Sequence, residues 1–191
     1  QVFEIEVAPA GERAETVLAD AWQIARWDEY GDDRRWNDGD IPVETQWLGV
    51  ESLPENYENL PWYGVVVPRT YYGIDGITNG YAGGSGGKSG KPPLFDFAHR
   101  VIYRTQIDVP AEAVGRGISL DFEQFNMIAS VFVNGEFVEW SKNHDAPWEL
   151  DITAYIRPGE TNEIAVVIKS HYYAVNRNRA KAVGESGVGL R

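Results

Sequence analysis

An Asn-Gly pair flanked by two apolar-rich runs is the feature that most constrains how this sequence can fold. Asn134 and Gly135 stand between Val131–Val133 and Phe137–Trp140. Both residues tolerate a positive φ angle, and a two-residue turn of that kind matches the natural twist of antiparallel strands. The pair therefore predicts a β-hairpin across Ser130 to Val138.

Short runs of alternating apolar residues fill the rest of the second half, with turns roughly every ten residues. Asp108-Val109-Pro110 ends one run, and Pro158-Gly159 with Asn162 reverses the chain before the last. This spacing is typical of a β-sandwich. The alternating positions are Val101, Tyr103, Thr105 and Ile107; Ile118, Leu120 and Phe122; Leu150 and Ile152; and Ile164, Val166 and Ile168.

The first half is less regular. Phe3, Ile5 and Val7 alternate as in a strand, while residues 14–27 fit a helical face and a strand equally well. Val65–Val67 predicts a short buried or edge strand, and Asn79 to Pro93 is a loop of small residues without the spacing of a phosphate cradle.

The charge balance narrows the classes of partner. The chain has 17 basic and 29 acidic residues, a formal charge of -12. Such a field repels a phosphate backbone, so nucleic acid is a poor candidate. Cysteine is absent, which excludes disulfides and thiolate sites. No apolar run approaches the ~20 residues of a membrane span.

The order of the motifs resembles the N-terminal sugar-binding domain of family 2 glycoside hydrolases, the β-galactosidase and β-glucuronidase family. The match is good from Phe97 to Arg191 and loose from Leu18 to Tyr72. Its motifs are Tyr103-Arg104 with Val109-Pro110, Leu120-x-Phe122, Ala129-x-Val131-x-Val133-Asn134-Gly135, Asp151-Ile152-Thr153, Pro158-Gly159 with Asn162-Glu163-Ile164-Ala165-Val166, and Ser186-Gly187-Val188-x-Leu190-Arg191.

This resemblance implies an all-β fold, a jelly-roll β-sandwich of the galactose-binding type with long irregular loops. On this resemblance we interpret the ambiguous run 14–27 as a strand. Residues 1–191 are then one domain, with irregular strands and loops in 1–96 and the sandwich core in 97–191. Family 2 enzymes carry their catalytic glutamates on a separate barrel of roughly 250 residues. We therefore assign no catalytic residue. The start at Gln1 and the sheet edge expected after Arg191 suggest a fragment of a multidomain protein.

Sugar binding is the chemistry that the sequence favours. Aromatic rings pack on the C–H faces of sugars, and amides and carboxylates take the hydroxyls. Two segments mix these groups, although each tryptophan or tyrosine could instead close the end of the core. The predicted ligand-binding residues are Trp140, Asn143, His144, Asp145 and Trp148 in the first segment, and Tyr172, Tyr173, Asn176 and Arg177 in the second.

No cofactor is predicted. The three histidines lack a metal-ligand spacing. Asn143, Asp145 and Asp151 could give oxygens to a structural calcium ion, but calcium takes about six to eight, so a solvated turn is favoured. Chance proximity is the better explanation for any pairing of Glu149 with Glu136 or Asp145.

The resulting hypothesis is a non-catalytic, substrate-shaping domain of a family 2-like glycoside hydrolase. Carbohydrate and the other domains of the parent enzyme, or another chain completing the edge, are its expected partners, in an extracellular or periplasmic setting. Arg177, Arg179 and Lys181 favour an acidic sugar, since arginine forks suit carboxylate and sulphate. The alternatives are an accessory carbohydrate-binding module and a structural β-sandwich that mediates contacts in an assembly.

Overall fold

The computed structural model describes residues 3–4, 11–27, 48–67, 69–70, 100–125, 128–143, 146–169 and 189–190. These ranges contain strands and three short 3-10 turns, at Tyr57–Asn59, Ala111–Ala113 and Thr153–Tyr155. The strands are β1 Phe3–Glu4, β2 Trp22–Trp27, β3 Tyr63–Val65, β4 Arg69–Thr70, β5 Arg100–Asp108, β6 Ser119–Phe122, β7 Ile128–Val133, β8 Glu136–Ser141, β9 Trp148–Asp151, β10 Thr161–Lys169 and β11 Gly189–Leu190.

A seven-stranded sheet, the large sheet, forms the centre of the fold. Six of its strands follow the order β3-β2-β5-β10-β7-β8, and β1 pairs with β5 in parallel. The neighbours in that six-strand order are antiparallel. Strands β6 and β9 pair as a small sheet, and β4 pairs with β11. The predicted all-β sandwich is confirmed.

The inner face of the large sheet packs against the small sheet. One row across four strands, Ile24, Tyr103, Val166 and Val131, is in direct register and fully buried. Phe122 and Leu150 of the small sheet join the same apolar cluster. This cluster is the main hydrophobic core, and it contains most of the alternating positions that the sequence predicts.

A third layer covers the outer face of the large sheet. It is the segment 48–62, called here the covering segment, which is irregular apart from one 3-10 turn. A second apolar cluster forms between it and the sheet, from Trp27, Ile102, Phe132, Ala165 and Val167 of the strands. The members from the covering segment are Val50, Leu53, Tyr57, Leu60 and Trp62.

The predicted hairpin is confirmed. Asn134 has φ 52° and Gly135 has φ 81°, the positive values that a tight turn between twisted strands requires. Strands β7 and β8 run beyond the predicted limits, and a register shift lies between Val131 and Phe132. Such an irregularity bends the edge of a sheet locally.

The ambiguous run from residue 14 to 27 is resolved by its neighbours. Residues 22–27 form β2 between β3 and β5, and residues 14–19 have no regular structure. Pairing in the sheet decides between two periodicities that local sequence cannot separate. Phe3–Glu4 is a strand as predicted, while Ile5, Val7 and the loop from Asn79 to Pro93 lie outside the described residues.

Asparagine side chains stabilise the end of the sandwich that carries the Asn134-Gly135 turn, called here the hairpin end. Asn162 is fully buried, and its Nδ2 donates to the carbonyl oxygens of Arg157 and Glu160 at 3.1 and 2.9 Å. Its Oδ1 accepts from the Arg157 amide and from Asn134 Nδ2, both at 2.8 Å. Asn134 also donates to the Tyr155 carbonyl at 2.9 Å. The turn residues predicted from sequence are thus one continuous network.

In the part of the chain with described coordinates, no helix has the length and apolar character needed to cross a bilayer.

Replacing Asn162 with alanine should destabilise the fold by about 2–4 kcal/mol, because the backbone amide of Arg157 and the amide of Asn134 lose a buried partner. Urea denaturation of Asn162→Ala measures this as a lower midpoint at an unchanged slope. Asn59→Ala, at an exposed position in a 3-10 turn, is the control. Equal stability of the two variants would contradict the structural role of Asn162.

Candidate carbohydrate-binding end of the sandwich

Several strands end together opposite the Asn-Gly hairpin. Trp27 ends β2, Arg100 begins β5, Lys169 ends β10 and Ile128 begins β7, and these four residues are in direct register across the large sheet. Ser141, the last residue of β8, lies next to them, opposite Ala129. This edge is called here the site end, because both predicted binding segments follow strands that finish at it.

Trp140 lies on β8 at the site end and is half-buried. One side of it packs against Ile128. The covering segment reaches it from the other side, since a Cβ added to Gly49 would lie 2.3 Å from Trp140 Cγ and 2.4 Å from its Cβ. The ring is therefore held at its base between a strand and a glycine.

Asn143 is exposed just beyond β8. Its backbone amide donates to Ser141 Oγ at 3.1 Å, so a local side-chain bond shapes the start of the loop. The residue lies on the surface after the strand that carries Trp140, and its binding role stays a prediction.

Trp148 lies on β9 of the small sheet and belongs to the main core cluster as a half-buried member. Its ring stacks on Phe122 with centroids 5.3 Å apart and meets Phe125 edge-on at 5.6 Å. These contacts match the structural role that the sequence left open for it, and its ligand role stays a prediction.

The other predicted site residues lie outside the described part of the chain, and their binding roles remain predictions. These residues are His144, Asp145, Tyr172, Tyr173, Asn176 and Arg177.

Two buried cations at the site end were not predicted. Arg100 and Lys169 face each other on β5 and β10 and are only 7% and 5% exposed. The guanidinium carbon of Arg100 lies 4.5 Å from the centre of the Trp27 ring, and Lys169 Nζ donates to the Leu48 carbonyl at 3.1 Å. Both cations have further interactions.

A second polar group, centred on Arg104, joins the covering segment to the outer face. The guanidinium carbon of Arg104 lies 3.9 Å from the centre of the Trp62 ring, and its Nη1 lies 3.2 Å from Glu58 Oε2. Tyr57 donates its hydroxyl to Glu163 Oε1 at 2.9 Å. These contacts pair polar groups of the covering segment with polar groups of the large sheet. Such pairing holds an irregular segment in one position on the sheet.

Burial is the largest influence on the pKa values of Glu163 and Tyr57 in this polar group. It raises the pKa of Glu163, and the hydrogen bond from Tyr57 and the charge of Arg104 oppose that rise. Burial, followed by the Glu163 carboxylate, raises the pKa of Tyr57. Burial alone raises the pKa of Tyr103, which lies in the main core. These shifts belong to structural positions, since the groups contact the second layer and the core.

Carboxylates elsewhere are engaged in scaffold contacts. Asp121 and Glu149 are cross-strand partners in the small sheet, and both approach Arg13, which pairs with Asp121 and lies 3.6 Å from Glu149, so one guanidinium bridges the two acids. Asp151 Oδ1 accepts from the Thr153 amide at 2.9 Å, and hydrogen bonds from Thr153 lower the Asp151 pKa. Within the described ranges no three His, Cys, Asp or Glu side chains are grouped to hold a metal ion.

The fold defines a class, the galactose-binding-like β-sandwich. Residues 97–188 match the family model described as glycosyl hydrolase 2 galactose-binding domain-like. The match confirms the resemblance that the motif order predicts, so this sandwich is of the type found in family 2 glycosyl hydrolases.

Two curated relatives and a solved structure are also similar to this chain. The chain is 25% identical over 129 residues to a β-glucuronidase of Formosa agariphila, covering 65% of this chain and 13% of that enzyme. It is 27% identical over 134 residues to the β-galactosidase large subunit of Lactobacillus helveticus, covering 69% and 20%. A Ruminococcus gnavus β-glucuronidase structure has the same fold, with a TM-score of 0.54 at 19% identity over 87% of this chain and 22% of that one.

The matched region thus spans between about one eighth and one fifth of the length of these curated relatives.

Trp148→Ala should destabilise the chain by about 2–4 kcal/mol, because it removes a ring stacked on Phe122 and leaves a cavity beside the core. The matched control is Val114→Ala, at a position 72% exposed, for which the change should stay within about 0.5 kcal/mol. Urea denaturation measures both. A Trp148→Ala protein as stable as the control would contradict the core role.

Glu163→Gln should change how stability depends on pH. Because the pKa of Glu163 is raised in the fold, protonation of this residue contributes to folding stability. That contribution is fully present below the ordinary pKa of 4.5 and is lost as pH rises through the pKa in the fold. The wild type should therefore lose stability relative to the variant as pH rises from the ordinary value of 4.5 through the raised pKa in the fold. Urea midpoints of both proteins across this range measure the difference.

Asp151→Asn is the control of opposite sign. The lowered pKa of Asp151 gives the wild type a contribution that is present above the ordinary value of 3.8 and disappears as pH falls through the pKa in the fold. A flat difference for Glu163→Gln beside a sloped one for Asp151→Asn would contradict the burial of Glu163.

Proposed function

We propose that this chain is the non-catalytic carbohydrate-binding domain of a family 2 glycoside hydrolase, and that it shapes substrate access to a catalytic domain elsewhere in the parent protein. The observation that best supports this is the match of residues 97–188 to the family's galactose-binding-like domain. In the sandwich, β8 and β10, the strands that precede the two predicted binding segments in sequence, both end at the site end.

The size of the relatives supports a domain role. The chain corresponds to 13% and 20% of the two curated relatives, both named as glycoside hydrolases. A catalytic barrel takes roughly 250 residues, more than the 191 of this chain. Hydrolysis in the parent therefore belongs to a different part of the protein.

The contacts of the acidic residues also support the non-catalytic role. A retaining glycosidase needs two carboxyl groups about 5 Å apart beside a bound sugar. Here Asp121 and Glu149 lie opposite each other, but both are exposed and share the guanidinium of Arg13. Glu163 accepts from Tyr57, and Asp151 accepts from the Thr153 amide, so each of these carboxylates is engaged by a group of the protein itself.

The chemistry of the site end fits a carbohydrate ligand. A half-buried indole, Trp140, stands on the strand that leads to the exposed amide of Asn143. A ring for the sugar face and an amide for its hydroxyls are the groups that orient a polar ligand. Arg177, Arg179 and Lys181 make an acidic sugar the favoured ligand, because guanidinium forks bind carboxylates well.

The purified chain should bind oligosaccharide without hydrolysing it. We expect no turnover of p-nitrophenyl β-D-galactoside or β-D-glucuronide above that of a heat-denatured control. Titration calorimetry should show tighter binding of tetragalacturonate than of neutral cellotetraose, since the acid groups add charge-assisted hydrogen bonds. Trp140→Ala should weaken binding, and Val114→Ala, away from the site end, should not.

Turnover that co-purifies with the chain and changes through a mutation series would overturn the non-catalytic assignment. Equal binding of the two tetrasaccharides would overturn the acidic preference. Absence of binding to either would overturn the ligand role and favour a sandwich that mediates contacts within an assembly.

A further inference from the structure

The covering segment is fixed to the site end by three adjacent residues. Lys169 Nζ donates to the carbonyl of Leu48, and the amide of Val50 donates to Ser130 Oγ at 2.9 Å. Between these two bonds, Gly49 lies against the base of Trp140. An irregular segment anchored on both sides of one residue holds that residue at a defined height above the sheet.

The contact at Gly49 is too close for any other residue. A Cβ there would lie 2.3 Å from Trp140 Cγ, 2.4 Å from Trp140 Cβ and 2.7 Å from Ser130 Oγ. Distances under about 3 Å between such atoms are essentially never seen, so one partner would have to move. Ser130 is 1% exposed inside the sheet and has little room to move. The indole or the covering segment must therefore give way.

The atoms in contact are the ones about which the indole turns. The torsion angles that orient a tryptophan ring run through its Cα–Cβ and Cβ–Cγ bonds. Gly49 lies on Cβ and Cγ, and Ile128 packs against the same side chain from the sheet. The side chain is thus confined at its base, and Trp140 as a whole is half-buried rather than enclosed in the core.

We infer that Gly49 is a positioning residue for Trp140, and that the Leu48–Val50 stretch pre-orients this indole as the aromatic platform for the sugar. The inference rests on the proposed carbohydrate-binding function and adds to it a residue that does not touch the ligand. A ring already fixed in one rotamer avoids an ordering cost when it stacks on a ligand, and a ring free to turn does not. The affinity for sugar is therefore set partly by the first half of the chain.

The test pairs Gly49→Ala with Gly64→Ala. Gly64 is exposed on β3, and a Cβ added there would meet no heavy atom within 4 Å. Gly64→Ala therefore adds the same methyl group as Gly49→Ala but creates no close contact. Protein labelled with 5-fluorotryptophan gives one fluorine signal for each of the seven tryptophans, and Trp140→Phe assigns that of Trp140. Gly49→Ala should move or broaden the Trp140 signal, and Gly64→Ala should leave it unchanged.

Binding of tetragalacturonate by calorimetry is the second measurement. Gly49→Ala should weaken it about tenfold, as expected when a side chain must be ordered on binding, while Gly64→Ala stays within about twofold. In a Trp140→Ala background, Gly49→Ala should cause no further loss, because a residue that acts through the ring has no effect without it. A merely structural role for Gly49 would give additive losses in this cycle.

Ser130→Ala keeps the inference testable if Gly49→Ala does not fold. It removes the acceptor of the Val50 amide without adding a clash, and should shift the Trp140 signal by a smaller amount than Gly49→Ala would. An unchanged Trp140 signal in both variants would overturn the inference. If Gly49→Ala changes the Trp140 signal but the wild-type protein binds no tetragalacturonate, the proposed function is overturned. Only the conclusion that Gly49 fixes the ring is then retained.

Discussion

Strands β5 and β10 pair over nine residues, Arg100–Asp108 against Thr161–Lys169, in the middle of the large sheet. Their side chains are buried on both faces, so Tyr103 and Val166 point into one core while Ile102 and Val167 point into another. A sheet that is apolar on both faces requires a layer on each of them. The small sheet supplies one layer, and the covering segment, which has no ladder of its own, supplies the other.

An irregular layer is held differently from a strand. A strand is held by repeated backbone bonds, whereas the covering segment is held by single contacts spread along it: Lys169 and Ser130 at one end, and Arg104 and Glu163 further along. Each of these contacts buries a polar or charged group, so a missing partner would be costly. This explains how charged residues are tolerated on an otherwise apolar sheet face, and why they face covering-segment residues such as Leu48, Tyr57 and Trp62.

The sequence predicted the sheets better than the third layer. The alternation of Ile164, Val166 and Ile168 and the turn at Asn134-Gly135 are local patterns with one interpretation, and both are confirmed. Residues 14–27 carry two periodicities, and only pairing with β3 and β5 selects the strand at 22–27. The covering segment has no periodicity at all. Its role depends on contacts with strands far along the chain, as between Val50 and Ser130, which a local pattern does not encode.

The candidate site was predictable to the same extent. Trp140 and Asn143 could be named because a strand followed by a polar loop is visible in sequence. Arg100 and Lys169 could not, since nothing local distinguishes a cation buried at a strand end from one in solvent. Gly49 could not either. A glycine that is required by a close approach looks the same in sequence as one in an open loop, and only the distance to Trp140 separates the two.

The two ends of the sandwich differ in what they leave available to a partner. At the hairpin end, both Nδ2 hydrogens of Asn162 are donated and its Oδ1 accepts twice, so this buried amide is fully satisfied within the protein. At the site end, strands finish beside a half-buried indole and an exposed amide. The ligand recognition proposed for the site end therefore uses groups that are separate from the Asn162 network, which holds the other end of the scaffold.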